Sequence, residues 1–415
     1  MNVLVLNCGS SSLKFQVIQV DQDSIEANGE AFLAKGLIER IGSQSLISLK
    51  AGTGKSQKLA QAFRNHNQAI DFVLRWLISD QSQIPAIRSL SDIQAVGHRV
   101  VHGGEKFKES VMIDEVVIEG IQECIDLAPL HNPANLSGID AIYEILGPKM
   151  PQVAVFDTAF HSHMPQTSYL YPIPYQFYRR HKVRRYGFHG TSHRYIAYRY
   201  RQLLEKAKED VHIITLHLGN GCSACAIEKG ISIDTSMGMT PLEGLTMGTR
   251  AGDIDPAILE FLHHKEGLSY ENLYTLLNKN SGLLGISGIT NDMRELLEEI
   301  EENQDRRAQL AIEIFCRRVC KYIGAYLATM SRADAIIFSG GIGENSAFIR
   351  QKICENLGNL GIKIDTAKNQ KLGAGQEGSI KAANSTLDVW VIPTNEELLI
   401  ARDTFRCIQS KNGEL

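Results

Sequence analysis

The sequence MNVLVLNCGSSSLK, residues 1–14, predicts a β-hairpin whose turn can hold a phosphate group. Residues 3–6 are apolar and partly β-branched, which is typical of a buried strand. After a Gly/Ser turn, residues 13–20 alternate between apolar and polar side chains, as a returning strand does. The turn offers backbone N–H groups, Gly9 allows close approach, and polar side chains come from Ser10, Ser12 and Lys14. An ordinary serine-rich hairpin has the same pattern, so this stretch alone leaves both interpretations open.

The same pattern occurs a second time in the chain. Residues 213–216 form an apolar strand, HLGNG follows at 217–221, and residues 222–227 return. Aligned with the first turn, the second places His217 on Asn7, Gly219 on Gly9, and Asn220 on Ser10. A third glycine turn, SGGIGEN at 339–345, also follows a strand. Repeated hairpins predict a duplicated domain, and two facing phosphate turns predict a nucleotide in the cleft between the halves.

Composition excludes several classes of protein. A chain of 415 residues allows two domains, and 43% hydrophobic with 22% charged residues is typical of a globular protein. A net charge of −4 gives no reason to expect nucleic acid or an anionic membrane as a partner. No apolar run reaches membrane-spanning length, and residues 1–14 do not resemble a signal peptide, so we expect a cytoplasmic protein. Cys222 and Cys225 have CxxC spacing, but a strand places them on opposite faces. No second cysteine pair has zinc spacing, so we expect the eight cysteines to be buried thiols.

Strands alternate with helices in both halves, which predicts the α/β class. We expect strands at 93–101 and 152–156. We expect irregular chain at 164–181 and 236–252, and a solvated helix face at 298–307. The predicted helices lie at 61–79, 114–127, 133–146, 191–208, 313–331 and 395–409. Residues 52–56, GTGKS, imitate a Walker A loop, but Leu49 stands where that motif requires glycine.

Candidate catalytic groups follow predicted strands or lie in glycine-containing loops. Ten of the thirteen histidines fall between residues 98 and 217, and strand ends are where α/β sites form. Arg99 and Arg250 suit a carboxylate or a phosphoryl group, unless each makes a structural salt bridge. Asp157 ends a strand and could orient an arginine or act as acid or base. Glu396 could bind Mg²⁺, or could favour a helix N-terminus through its charge. A zinc site at His161 and His163 is a weaker alternative.

Many motifs in this order resemble those of the acetate kinase family, almost from end to end. They are Asn7–Lys14 (NCGSSSLK), HRVVHGG at 98–104, LHNP at 130–133, FDTAFH at 156–161, YGFHGTSH at 186–193, HLGNG at 217–221, GTRAGD at 248–253, GGIGEN at 340–345 and PTNEE at 393–397. Cys8 and Ala251 stand where alanine and serine are commoner in the family. Neither change removes a catalytic side chain.

The resemblance implies an α/β fold of two duplicated actin/Hsp70-like (RNase H-like) domains with a nucleotide cleft between them. It implies an N-terminal domain of residues 1–158 plus 395–415, with the last helix packed back on it. The C-terminal nucleotide-binding domain would then comprise residues 159–394. The resemblance also implies a homodimer.

The resemblance further implies a role for each matching residue. Asp157, His189 and Arg250 would be catalytic, and Asn7 and Glu396 would bind Mg²⁺, for which Mn²⁺ can substitute. Arg99 would hold the substrate carboxylate, within apolar pocket positions at Val101, Leu130 and Pro241. ATP or ADP would be surrounded by Ser10, Ser12, Lys14, His217, Leu218, Gly219, Asn220, Gly221, Asp292, Met293, Arg294, Gly340, Gly341, Ile342, Gly343 and Glu344.

The implied activity is Mg-dependent, reversible phosphoryl transfer from ATP to acetate, which gives acetyl phosphate and ADP. Propionate or another short-chain fatty acid remains an alternative substrate, because one methylene changes discrimination by only about 1–3 kcal/mol. A non-enzymatic, ATP-driven clamp of the same fold is a distant alternative. The nucleophilic carboxylate is already ionised at neutral pH, so we expect Asp157 to orient an arginine or the metal shell rather than act as a base.

Overall fold

The computed structural model describes residues 1–412 and divides into two compact units. Unit 1 comprises Met1–Ala159 together with the chain from Asn395 onward, and unit 2 comprises Phe160–Thr394. The predicted domain boundaries lie within one residue of these divisions. Whether each unit is a domain that folds on its own stays a prediction.

Unit 1 contains one mixed sheet and the helices that cover it. Its strands are β1 (Asn2–Gly9), β2 (Ser12–Gln19), β3 (Ala31–Glu39), β4 (Gln44–Ala51), β5 (Gln57–Ala62), β6 (Ala95–Val100), β7 (Val111–Met112) and β8 (Gln152–Phe156). Its helices before residue 160 are α1 (Gln22–Ala27), α2 (His66–Leu77), α3 (Glu115–Glu123) and α4 (Asn132–Leu146). The strand order among the described residues is β5-β4-β3-β2-β1-β6-β8-β7.

The first hairpin forms as the sequence predicts. β1 and β2 pair antiparallel from Asn2 with Gln19 to Gly9 with Ser12, which leaves a two-residue turn. β1, β6 and β8 run parallel. Their apolar side chains are buried on both faces, as the sheet requires when helices cover both sides. One core lies against α2 and α4, and a second includes Val117 and Ile121 of α3.

Unit 2 contains a second mixed sheet and a larger set of helices. Its strands are β9 (Ile213–Leu218), β10 (Cys222–Glu228), β11 (Ile231–Thr235), β12 (Ala335–Ser339), β13 (Gly378–Ser379) and β14 (Asp388–Val391). Its helices are α5 (Gln166–Tyr169), α6 (Gln176–His181), α7 (Gly190–Leu203), α8 (Ala257–Glu266), α9 (Tyr270–Lys279), α10 (Gly282–Ser287), α11 (Met293–Asn303), α12 (Arg306–Thr329), α13 (Gly340–Asn345), α14 (Ala347–Glu355) and α15 (Thr366–Lys371).

The two sheets share their central order, which agrees with the predicted duplication. In unit 2 the order is β11-β10-β9-β12-β14-β13, which matches β3-β2-β1-β6-β8-β7 strand for strand. β9 pairs antiparallel with β10 and parallel with β12, as β1 does with β2 and β6. The predicted α/β fold with two duplicated sheets is therefore confirmed.

The last helix, α16 (Glu396–Asn412), returns to unit 1. It packs on β6 at Gly97, where a Cβ atom would lie 2.4 Å from Thr404 Oγ1 and 2.7 Å from Ile400 Cγ2. Only glycine admits this approach. Arg402 of the helix forms a buried ion pair with Glu30 and donates to Asn28 Oδ1 at 2.9 Å. The Glu396 end of the helix is thereby fixed beside the sheet.

Several predicted element boundaries are wrong. The helix expected at 61–79 is His66–Leu77, because residues 57–62 form the edge strand β5 instead. Residues 164–181 contain two short helices rather than irregular chain alone. The charged face at 298–307 is split between two helices by Gln304, whose φ is 51°. Among residues 1–412, no helix is both long and apolar enough to cross a membrane.

Candidate active site

Three parallel strands of unit 1 bring charged side chains to one edge of their sheet. Leu6 of β1 pairs with His98 of β6, so that Asn7 and Arg99 follow side by side. Arg99 pairs in turn with Val155 of β8, and the Asp157 backbone N–H donates to the Val100 carbonyl at 3.0 Å. Ligands commonly bind at the carboxyl ends of such strands.

Arg99 and Asp157 form a bidentate pair. Arg99 Nε lies 3.0 and 3.1 Å from the two carboxylate oxygens, and one terminal nitrogen lies 2.6 Å from Oδ2. The Asp157 side chain is only 1% exposed, whereas that of Arg99 is 20% exposed. Burial lowers the pKa of Arg99, but the charges of Asp157 and Glu396 outweigh it and shift the pKa upward. Asp157 thus fixes a permanently charged guanidinium on a side chain of which one fifth stays exposed.

Two further carboxylates from α16 join this cluster. Glu396 Oε2 lies 3.9 Å from Arg99 Nε, and Glu397 forms an ion pair with Lys14 of β2. Burial raises the pKa of Glu396 to about 7, against the lowering effect of Arg99 and with help from Asp157 and Glu397. With a pKa of about 7, Glu396 is only about half ionised at neutral pH, so a cation added to the cluster would favour its ionised form.

Asparagines of α4 hold the chain around Arg99. Asn135 Oδ1 accepts from the Val101 backbone N–H at 3.1 Å, and its amide donates to the Cys8 carbonyl at 2.9 Å. Asn132 bonds both backbone groups of His102. Val101 is buried and Leu130 is 39% exposed. The two predicted pocket positions of unit 1 therefore differ in their access to solvent.

Unit 2 brings His189 and Arg250 to the second glycine turn. A Cβ atom placed on Gly221 would lie 3.3 Å from Arg250 Nη2 and 3.5 Å from His189 Nε2. Arg250 Nη1 donates to the Pro241 carbonyl at 2.9 Å, which holds a third predicted residue at the same place. His189 adopts a left-handed conformation with φ of 56° just before α7. A cationic and an imidazole group thus meet beside the turn.

A network of buried histidines and hydroxyls supports this group. The His189 and His217 rings lie 4.2 Å apart, and their Nδ1 atoms contact Ser223 and Ser192 hydroxyls at 2.9 and 2.8 Å. Burial lowers the pKa of His161 to about 4 and that of His193 well below its usual range. Both are neutral at neutral pH. His161 bonds Ser232 and the Phe188 carbonyl, which argues against the alternative zinc site.

Three of the predicted nucleotide-binding stretches line one cleft of about 570 Å³ in unit 2. This volume lies in the range of small-molecule sites. The predicted residues in its lining are Gly219, Asn220, Asp292, Met293, Arg294, Gly341 and Ile342. Asn291 also lines it and donates to Asn220 Oδ1 at 2.8 Å. Asp292 caps α11 and pairs with Arg294 at 2.6 Å.

The third glycine stretch is helical rather than an open turn. Residues 340–345 form α13, and a Cβ on Gly340 would lie 2.7 Å from the Leu218 carbonyl oxygen. Glu344 Oε1 accepts from the backbone N–H groups of Gly340 at 2.8 Å and Thr394 at 3.0 Å. Leu218 and Gly343 are buried behind the cleft. Leu218, Gly340, Gly343 and Glu344 thus pack behind the cleft, and their predicted contact with a nucleotide stays a prediction.

Sequence motifs do not reveal the residues that hold others in place. Glu397 lies within the PTNEE motif, but neither it nor Asn135, Ser192, Ser223 and Thr215 has a predicted role. A polar residue at a predicted buried position is the signal that could have found Ser223 and Thr215. In unit 1, Ser10 is exposed and Ser12 half-buried, and their contact with phosphate stays a prediction.

Comparison with known proteins places these groups in a family. The Acetokinase family profile matches residues 2–402. The acetate kinase of Chloroherpeton thalassium is 60% identical, over 99% of this chain and all of the relative, and that of Solibacter usitatus is 59% identical over 98% of each. The crystal structure of Porphyromonas gingivalis acetate kinase is 45% identical with a TM-score of 0.90, covering 98% of this chain and 99% of that one. A propionate kinase from Francisella tularensis is 43% identical, with a TM-score of 0.88 and the same coverage. The chain belongs to the acetokinase family.

Proposed function

We propose that this protein is an acetate kinase, which transfers the γ-phosphoryl group of ATP to acetate and reverses that reaction. The single observation that carries the proposal is family membership over residues 2–402. The geometry agrees with it, since Arg99 suits a small carboxylate and Arg250 with His189 suits a phosphoryl group. Each of these groups lies beside a glycine-containing turn of its own unit.

The proposed substrate site is the Arg99 cluster. Asp157 uses both carboxylate oxygens on Arg99, so it orients the guanidinium that receives the acetate carboxylate. Acetate needs no base, because its carboxyl group is ionised at neutral pH. Val101, Leu130 and Pro241 are the proposed neighbours of its methyl group.

The proposed nucleotide site is the cleft of unit 2. Gly219, Asn220 and the 292–294 segment would contact the nucleotide, and Lys14 with Ser10 and Ser12 of unit 1 would contact phosphate. Phosphoryl transfer spreads negative charge over the equatorial oxygens, so electrostatic stabilisation dominates its catalysis. Arg250 and His189 are the proposed donors to those oxygens.

The residues present fit a magnesium ion. Asn7 and Glu396 offer oxygen donors, which Mg²⁺ and Mn²⁺ prefer, and a bound cation would favour the ionised form of Glu396. Among residues 1–412 no group of three His, Cys, Asp or Glu side chains could hold a metal, so phosphate oxygens and water would have to complete the shell. When bound, the ion would neutralise phosphate charge.

A cytoplasmic location and a homodimer remain predictions. Light scattering would test the dimer.

The experiment that tests this function traps acyl phosphate with hydroxylamine. Purified protein is incubated with Mg-ATP and acetate, propionate or butyrate in separate reactions. We expect acetyl hydroxamate to form fastest. Faster trapping with propionate would favour the propionate kinase alternative, which the Francisella tularensis relative supports. Bound nucleotide without any acyl phosphate would overturn the kinase and favour the clamp.

A further inference from the structure

Hydrogen bonds link the half-buried His189 to three buried side chains of unit 2, one after another. His189 Nδ1 lies 2.9 Å from Ser223 Oγ, which lies 2.8 Å from His193 Nε2. His193 Nδ1 lies 2.7 Å from Thr215 Oγ1. Ser223, His193 and Thr215 are fully buried. These three residues, called the relay here, have no part in the mechanism proposed above.

The secondary structure explains why the relay forms. Ser223 of β10 is paired with His217 of β9, and Thr215 lies two residues earlier on β9, so both hydroxyls share one sheet face. His193 lies one helical turn after His189, and its backbone N–H donates to the His189 carbonyl at 2.9 Å. Helix α7 therefore places both imidazoles over that face.

The end of the relay favours one direction for its hydrogen bonds. Among the described residues, the side-chain partners of the Thr215 hydroxyl are His193 Nδ1 and the Cys225 sulfur. Because sulfur is the weaker acceptor, Thr215 donates to His193 Nδ1. His193 is neutral, so its single proton lies on Nε2 and is donated to Ser223 Oγ. The Ser223 proton is then donated to His189 Nδ1.

This direction determines which nitrogen of His189 carries its proton. With Nδ1 acting as acceptor, a neutral His189 holds its proton on Nε2, the nitrogen beside Gly221. Arg250 and the His217 ring at 4.2 Å disfavour a second positive charge here. We propose that Thr215, His193 and Ser223 are positioning residues that keep His189 a neutral Nε2–H donor to the transferred phosphoryl group. This inference rests on the proposed function for its phosphoryl group, but not for the protonation itself.

Thr215→Val tests the relay, because it removes the terminal hydroxyl and nearly preserves the shape. We expect kcat for acyl phosphate formation to fall about tenfold to a hundredfold, the effect of weakening one transition-state donor. KM for ATP and for the carboxylate should change little. Thr215→Ser restores the hydroxyl and should recover most of the activity. Thr235→Val is the matched control, since that buried hydroxyl donates to the Ala224 carbonyl instead.

The tautomer itself is read from two-bond ¹⁵N–¹H correlation spectra of protein labelled with ¹⁵N-histidine, assigned with His189→Gln. We expect a proton on Nε2 in the unmodified chain and its loss or mixing in Thr215→Val. A proton on Nδ1 in the unmodified chain would overturn the relay. So would a kcat loss of equal size when Thr215→Val is added to His189→Ala. If no acid yields acyl phosphate, the proposed function fails, and the spectrum still decides the tautomer.

Discussion

The two sheets share a strand order, but charged side chains gather at the carboxyl ends of the strands in unit 1 and mainly neutral ones in unit 2. Asn7 and His217 occupy equivalent places, because Leu6 and Leu216 pair with His98 and Phe338 of the neighbouring strand. Asp157 and Thr394 also correspond, each lying three residues after the strand residue paired at that level, Ala154 or Val391. Unit 1 therefore carries a carboxylate where unit 2 carries a hydroxyl.

The difference shows how one scaffold can serve two chemical tasks. Unit 1 gathers fixed charges, in which Asp157 holds Arg99 and Glu397 holds Lys14. Unit 2 gathers neutral hydroxyls and imidazoles behind Arg250. A charged cluster suits a metal ion and a small carboxylate, whereas a neutral network fixes donors for a phosphoryl group without adding charge. The predictions below test this contrast.

Breaking the charge pair of unit 1 should have the largest effect. Arg99→Gln leaves the buried Asp157 carboxylate without its guanidinium, which costs about 3–5 kcal/mol in the free energy of unfolding. Adding Asp157→Asn should recover much of this loss but not the activity. Urea unfolding and the hydroxamate assay measure the two. Equal stability of the single variant and the unmodified protein would contradict the pairing.

Acid should destabilise unit 2 before unit 1. Burial lowers the pKa of His98 in unit 1 and His161 in unit 2 from 6.5 to about 4, and that of His193 well below its usual range. The unfolded chain binds these protons at a higher pH than the folded protein does, so the contribution of the three histidines to the free energy of unfolding is complete above about pH 6.5 and falls toward pH 4. A histidine whose pKa is lowered to about 4 contributes about 3 kcal/mol to the free energy of unfolding, and this contribution is lost on acidification.

The two tryptophans, one in each unit, report the order of acid unfolding. Trp390→Phe leaves Trp76 to report unit 1, and Trp76→Phe leaves Trp390 to report unit 2. In acid titrations at moderate urea concentration, we expect Trp390 fluorescence to change at the higher pH. A change in Trp76 first would mean that the charged cluster is the weaker part.

The Asp157→Asn variant distinguishes orientation of Arg99 from proton transfer by Asp157. Because both its oxygens bind Arg99, Asp157→Asn should lower kcat about tenfold by loosening the guanidinium, with the pH–rate profile unshifted. Steady-state rates across pH measure this. Ser110→Ala is the control, because it removes a hydroxyl of the same unit that donates to Asp403 instead. Loss of a titrating limb of the profile would instead assign Asp157 as acid or base.

The smallest effect is expected at Lys14, the half-exposed member of its ion pair with Glu397. The Lys14 side chain is 49% exposed, so Lys14→Met should change the free energy of unfolding by less than about 1 kcal/mol. KM for ATP should rise if Lys14 contacts phosphate as proposed. An unchanged KM would confine Lys14 to its ion pair with Glu397.

The sequence predicts well those features that depend on residues close together in the chain. Strands such as 152–156 are predicted to the residue because apolar runs and β-branched residues determine them. The Arg99–Asp157 contact needs the register of two parallel strands, which no local pattern specifies. The sequence also cannot show that residues 340–345 are helical, since the contact of Gly340 with the Leu218 carbonyl is tertiary. Thr215 and Ser223 were missed because a hydroxyl in a strand has no distinctive spacing.

The return of α16 to unit 1 has a consequence for biosynthesis. Glu30 and Arg402 are 372 residues apart in the chain, and all of unit 2 is made between them. Unit 2 is continuous and can assemble while translation proceeds. Unit 1 must wait for its final helix, because Gly97 and the Glu30 carboxylate stay uncovered until then. Glu396 arrives on that same helix, so the charged cluster is completed only after all of unit 2 has been made.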